Sequence, residues 1–233
     1  MKLKPELSIV IITLNEEEYL PKLLKSIEEQ TFKNLEIIVA DYNSTDKTRK
    51  IARSFKCRIT KGGNYSAGRN NGAKRARADY LFFLDADSIL PKKFLKVNFR
   101  EFKKSEKGTG TVPVEPLSNK YFDKIFFKAY DYWSILMSRV SPHCAGCGIF
   151  ARKDIFNKIK GFNENIAFAE NHDFVRRARR YGFIILPVPI YTSVRRMDSE
   201  GRAKFVLKYI YSGLYRLLYK EIGKEIFQYR ARK

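Results

Sequence analysis

The sequence predicts an α/β chain built on a mostly parallel sheet flanked by helices, and three observations predict it. Apolar, β-branched runs of strand length alternate with segments of helical spacing over about residues 1–105. Polar clusters stand just after those runs, and parallel sheets bind ligands beyond the carboxyl ends of their strands. The size agrees: 233 residues, 44% hydrophobic and 30% charged, can bury one sizeable globular core.

Taken in order, Leu7 to Leu14 is an unbroken apolar run that suits a strand buried on both faces. Glu16 to Gln30 places Tyr19, Leu20, Leu23, Leu24 and Ile27 at helical spacing, with acids at the start where the helix dipole favours them. Leu35 to Ala40 reads as the second strand. Ser44, Thr45 and Asp46 read as caps for a helix over Lys47 to Phe55, and Arg58 to Thr60 as a short strand. After a Gly62-Gly63 turn, Tyr65 to Arg77 reads as a helix. Tyr80 to Leu84 is a buried strand running into Asp85-Ala86-Asp87, and Pro91 opens a helix of about a dozen residues. A break near 105–112 precedes a less regular half. There the pattern gives an aromatic-rich helix over Lys120 to Met137, a strand over Gly146 to Arg152 and a helix over Glu170 to Tyr181. A strand over Phe183 to Ile190 follows, and the chain is helical from Arg202 onward.

Four polar clusters fall at inferred strand ends: Thr13-Asn15-Glu16, Asp41, Lys61-Gly62-Gly63 and Asp85 with Asp87. Paired carboxylates on one turn can hold Mg²⁺ or Mn²⁺, hard cations that bridge nucleotide phosphates. The same pair also reads as an ordinary Asp-rich loop. A strand-end carboxylate such as Asp41 can accept a hydrogen bond from a nucleobase N–H. Arg195 and Arg196 suit bidentate phosphate contacts, or a solvated basic loop. Cys144 and Cys147 form a lone C-x-x-C, which can be a redox pair, half a zinc site or two small apolar residues, and no second C-x-x-C accompanies it.

Several separated segments carry a family resemblance. SIVIITLNEEEYLPKLLKSIEEQTFKNLEIIVADYNSTDKT, GRNNGAKRARADYLFFLDADSIL and GCGIFARKDIFNKIKGFNENIAFAENHDFVRRARRYGF occur in that order. Together they resemble the family-2 glycosyltransferases over about residues 7–197. The resemblance implies a GT-A fold, with a donor half (about 1–105) and an acceptor half (about 106–200), followed by a basic amphipathic tail (201–233). It implies inverting transfer from a UDP- or GDP-sugar to a glycan or polyprenyl-phosphate-type acceptor. Thr13, Asn15 or Glu16, and Asp41 are implied for the nucleoside, Arg69 and Lys61 for base or phosphate, Asp85 for ribose or sugar, and Asp87 for the metal. Two departures stand out: Tyr42-Asn43 replaces Asp-Gly after the second strand, and Asn171 occupies the usual position of the catalytic base. An amide cannot take a proton, so Glu170 is the first candidate and Asp173 the second. Asp173 can equally pair with Arg176 or Arg177 on its own helix.

The net charge of +21 favours anionic partners, or a charged surface of the heat-adapted kind. No RRM, zinc-finger or helix-turn-helix signature accompanies it, so no nucleic acid is expected; no Walker motif marks an ATPase. A nucleotide-binding protein without transferase activity is the alternative motivated by Asn171. Three cysteines and a first apolar run read as a strand, not a leader, give a cytoplasmic expectation. The residues 202–233 suit an interfacial helix at the inner face of the cell membrane, packing on the domain, or pairing in a homodimer.

Overall fold

The computed structural model describes residues 4–138, 142–166, 169–208 and 211. The first half follows the expected alternation: β1 (Leu7–Thr13), α1 (Leu20–Glu28), β2 (Leu35–Asp41), α2 (Thr48–Ser54), β3 (Arg58–Lys61), α3 (Tyr65–Arg75) and β4 (Tyr80–Asp85). A two-residue β5 (Ser88–Ile89) leads to α4 (Phe94–Ser105). Then come β6 (Thr109–Thr111), β7 (Val114–Pro116), α5 (Tyr121–Met137), β8 (Ile149–Arg152), α6 (Lys153–Lys158), α7 (Glu170–Ala178), β9 (Phe183–Ile185), β10 (Ile190–Thr192) and α8 (Arg195–Glu200). Residues 202–208 are helical.

Seven strands form the main sheet in the order β3-β2-β1-β4-β8-β6-β9, and β5-β10-β7 form a second. The ladders β3-β2-β1-β4 are all parallel; β8 then runs antiparallel to both β4 and β6. Alternation along the strands divides the core. Leu7, Ile9 and Ile11 face α1, α2 and α4 with Phe82 and Leu84, while Val10, Ile38, Leu81 and Phe83 face α3, α6 and α7. Leu20, Leu23, Leu24 and Ile27 bury the inner stripe of α1, each worth about 1.5–3 kcal/mol of transfer free energy.

α3 packs by another means. A β-carbon at Gly68 would sit 2.9 Å from Ile12 Cγ2, and one at Gly72 only 2.2 Å from Val10 Cγ1. The helix therefore rests almost directly on β1, which sinks Arg69 into the sheet's end.

Several boundaries shift for local reasons. α1 starts at Leu20, with proline in its first turn, not at Glu16. Lys93 takes a left-handed φ of 66°, so α4 begins at Phe94 and not at Pro91. The single strand expected over 183–190 is two, β9 and β10, because Pro187 and Pro189 cannot donate to a ladder. The stretch 105–112, read as a break, contributes β6 to the main sheet. Among the described residues no helix is long and apolar enough to cross a membrane. Of the tail, 209–210 and 212–233 lie outside the described residues.

Candidate active site

The register of the parallel strands levels their ends. Thr13 lies opposite Asp41, Asp41 opposite Lys61, and Ile12 opposite Asp85. The four polar clusters expected at strand ends therefore share one rim.

Asp41 is fully buried on that rim. Its Oδ2 accepts from Thr13 Oγ1 at 3.1 Å and Ser44 Oγ at 2.5 Å, and its Oδ1 from the Ser44 backbone N–H at 3.2 Å. Arg49 Nε pairs with Oδ1 at 2.7 Å. Those donors fill the roughly four lone-pair sites of a carboxylate, so a direct nucleobase contact requires one to yield. Arg49, a residue sequence reasoning did not single out, is the most accessible of them at 44% exposure.

The two loops flanking Asp41 are laced together. The Asn15 N–H donates to Ser44 Oγ and the Thr45 N–H to Asn15 Oδ1, both at 2.9 Å, while the Glu16 N–H donates to Thr48 Oγ1 at 2.8 Å. Asn15 adopts a left-handed φ of 54° to do this. Ser44 and Thr45, expected as helix caps, serve this lacing instead; Asp46 alone of the three accepts from α2, at the Thr48 N–H. Gly62 closes the rim from the β3 side, where a β-carbon would lie 2.6 Å from the Asp41 carbonyl carbon and the Tyr42 nitrogen. Lys61 beside it is exposed.

Two arginines, one from each half, bridge the remaining carboxylates. Arg69, 1% exposed, donates through Nη1 to Glu170 Oε1 at 2.5 Å, and through Nη2 to Asp85 Oδ1 at 3.0 Å and the Gly146 carbonyl at 3.2 Å. Burial works against its charge, but Asp85 and Glu170 outweigh it and raise its pKa. Arg69, expected at base or phosphate, bonds to both carboxylates from within the fold, because α3 lies so close to β1. Arg195 grips Glu16 with both Nη atoms at 2.9 and 2.6 Å, donates Nε to Asp87 Oδ2 at 2.9 Å, and stacks 4.5 Å over the Tyr19 ring. Burial pushes the Glu16 and Asp87 carboxyls above their ordinary values, and Arg195 offsets only part of that shift. Arg196 donates to the Tyr65 hydroxyl at 3.2 Å.

In the second half, α7 opens with Glu170 buried against Arg69. Asn171 turns its amide to the Cys144 carbonyl, and Cys144 Sγ contacts the Asn171 carbonyl at 3.5 Å. Asp173 is held by Arg177 Nε at 2.7 Å and Arg176 Nη2 at 3.6 Å. Arg177 also donates to the Ile159 and Gly161 carbonyls, so this ion pair anchors the preceding loop. Cys144 and Cys147 are buried free thiols, and burial raises the Cys147 pKa.

Among the described residues no cage of three or more Asp, Glu, His or Cys side chains gathers. The donor set fits a different kind of cation site. Asp85, Asp87, Glu16 and Glu170, bridged by two guanidiniums, keep a formal charge of −2, and Asp85 and Asp87 offer hard oxygen donors. That suits a Mg²⁺-like ion taking one or two carboxylates and the rest of its ligands from phosphates and water.

Comparison with known proteins sharpens this reading. The model of the family described as glycosyl transferase family 2 matches residues 8–160. A Campylobacter jejuni GalNAc(5)-diNAcBac-PP-undecaprenol beta-1,3-glucosyltransferase is 37% identical over 95 residues, covering 37% of this chain and 31% of the relative. The Bacillus subtilis minor teichoic acid biosynthesis protein GgaB is 25% identical over 200 residues, covering 77% of this chain and 22% of GgaB. In fold, the chain matches S. aureus TarS with a TM-score of 0.65 at 19% identity, over 81% of this chain and 60% of that one. It matches the Pyrobaculum calidifontis mannosyltransferase PcManGT with a TM-score of 0.66 at 19% identity, over 83% and 58%. The fold expected from the resemblance, GT-A, is the one found; the chain spans less than two thirds of the length of these proteins.

Proposed function

Because the chain belongs to glycosyl transferase family 2, we propose that it transfers a sugar, with inversion, from a nucleotide-diphosphate sugar to an acceptor hydroxyl or lipid phosphate. The observation that carries the proposal is the level rim on which Thr13, Asp41, Lys61 and Asp85 end adjacent parallel strands. TarS has been seen with UDP-GlcNAc and PcManGT with GDP-Man and Mn²⁺, which supports a UDP- or GDP-sugar here. The undecaprenol-linked substrate in the Campylobacter relative's name supports a glycan or polyprenyl-phosphate-type acceptor.

In this reading the nucleoside lies over the laced loops at Thr13, Asn15 and Asp41, displacing Arg49 from Asp41. Lys61, exposed beside them, and Arg196 face the diphosphate. Asp87 and Asp85 would hold a divalent cation, which supplies charge neutralisation for the leaving diphosphate. Arg195 keeps Glu16 as its partner and places a guanidinium beside that charge. Glu170 is the base: the acceptor oxygen attacks the anomeric carbon, the bond to the diphosphate breaks, and Glu170 takes the acceptor proton. Arg69 supports this by fixing Glu170 relative to Asp85. Asp173, committed to Arg177, is the weaker candidate. Membrane contact through 202–233 rests almost wholly on residues outside those described.

A second reading, nucleotide binding without transfer, is favoured by one observation: Asn171 stands at the usual base position and donates to a carbonyl. Thermal-shift titration with UDP-, GDP- and dTDP-sugars, with and without Mn²⁺, tests donor binding; saturation at a hundred times Kd stabilises by about 2.7 kcal/mol. Sugar transfer to any acceptor then separates the two readings, and loss of transfer in Glu170→Gln supports the base assignment.

A further inference from the structure

α5 presents an unusual surface. Its inner side carries Asp123, Asp131 and Ser134, and its outer side is apolar: Tyr121 is 79% exposed, Leu136 72%, Tyr132 66% and Trp133 48%, with Phe122 and Ile125 between them. At about 3.6 residues per turn these six fall on one continuous stripe. Lys124 and Lys128, both exposed, run along its border. The helix has two acids, and both turn inward. Asp123 takes Arg202 at 2.7 and 2.9 Å, and Asp131 accepts from the Val114 N–H. The outer face therefore combines tyrosine, tryptophan, aliphatic side chains and lysine, with no negative charge.

We propose that this face of α5 docks on an anionic lipid bilayer, with the helix lying in the plane of the interface. Aromatic rings with a polar edge favour the headgroup boundary, and lysines reach from an apolar surface to anionic headgroups. Charge decides between the occupants. A protein interface is depleted in lysine, whereas an anionic leaflet attracts it. The undescribed segment 212–233 carries six basic and two acidic residues, so it brings the same sign of charge as the lysine border. The net charge of +21 acts in the same direction over the whole molecule. This inference does not depend on the transferase reading, and it moves the expected membrane contact from the tail to α5.

The single tryptophan of the chain lies on the stripe, so intrinsic fluorescence reads it directly. With the full chain, vesicles containing phosphatidylglycerol are expected to shift Trp133 emission to the blue and to carry the protein upward in flotation, while pure phosphatidylcholine vesicles do neither. Two added substitutions, K124Q and K128Q, are expected to weaken partitioning about thirtyfold, roughly fivefold per lysine. The pair Tyr132→Ser and Leu136→Ser removes the shift with circular dichroism unchanged. Three results overturn the proposal. Emission already blue in buffer means that the chain's own C-terminal segment covers the stripe. A blue shift that grows with protein concentration, with doubled mass in light scattering and no lipid, means that a second copy covers it. No shift with any vesicle means that α5 does not meet a bilayer.

Discussion

The first half of the chain, to about residue 105, and the second half hold their charged site residues by different means. In the first half, Thr13, Asp41, Lys61 and Asp85 are placed by backbone ladders, whose register leaves no freedom along the strands. In the second half Glu170 and Arg195 open helices and are not held by a ladder. Each reaches its partner through a guanidinium bridge, Arg69 with Glu170 and Arg195 with Glu16 and Asp87. The bridges are reciprocal, since one arginine comes from each half. A ladder fixes position at low electrostatic cost, whereas a bridge couples position to charge.

Substitutions can break this contrast in graded ways. The largest expected effect is on chemistry: Asp87→Ala removes a proposed donor for the cation, and turnover with Mn²⁺ should fall by about three orders of magnitude or more. The melting temperature should stay close to that of the parent chain, because burial already works against the Asp87 carboxylate and Arg195 keeps Glu16 as its partner. Retained turnover would remove Asp87 from the site. Next, Arg69→Ala leaves Asp85 and Glu170 facing each other across a partly buried gap, and chemical denaturation should show a loss of about 3 kcal/mol, the lower end for a broken buried pair. If the loss were below 1 kcal/mol, the bridge would not be what joins the halves. Gly62→Ala attacks the ladder side. The β-carbon has only backbone to push against, and about 1–3 kcal/mol of stability should be lost, with weakened donor binding by titration.

The smallest effect tests a second-half carboxylate, Asp131, that pairs with no cation among the described residues. Burial raises the Asp131 pKa to about 6, and the Val114 N–H lowers it only in part. The folded state therefore binds more protons than the unfolded chain between the ordinary carboxylate pKa of 3.8 and about 6. Stability must fall as pH rises through that window. Asp131→Asn should flatten this slope, seen as a melting-temperature difference between variant and parent that grows from pH 4 to 7. A constant difference would mean that Asp131 keeps its ordinary pKa.

The same contrast governs what could be read from sequence. Alternating strands and helices, and the carboxylates at strand ends, were legible because period and spacing report local structure. Short elements such as β6 and β7 were not, since three residues carry no period. The bridges were invisible for a different reason. Arg69 and Glu170 lie 101 residues apart, and Arg195 and Glu16 lie 179 apart, so no window of sequence contains both partners. Arg195, read as a phosphate ligand, and Arg69, read as a base or phosphate contact, were recognised as site residues by type; their partners were supplied by the fold. Asn171 shows the reverse: the sequence reported a missing base, and the structure supplies its local occupation, an amide tied to the Cys144 carbonyl.

The close seat of α3 on β1 has one more effect. With glycine at 68 and 72, the helix adds no side chain of its own at the contact, so the depth of Arg69 is set by helix backbone meeting the Ile12 and Val10 side chains. One guanidinium spans from Asp85 to Glu170. The separation of the Asp85 and Glu170 carboxylates is therefore gauged by two glycines that touch neither of them, and a change of one methyl group there would alter it while every charged residue of the site stayed the same.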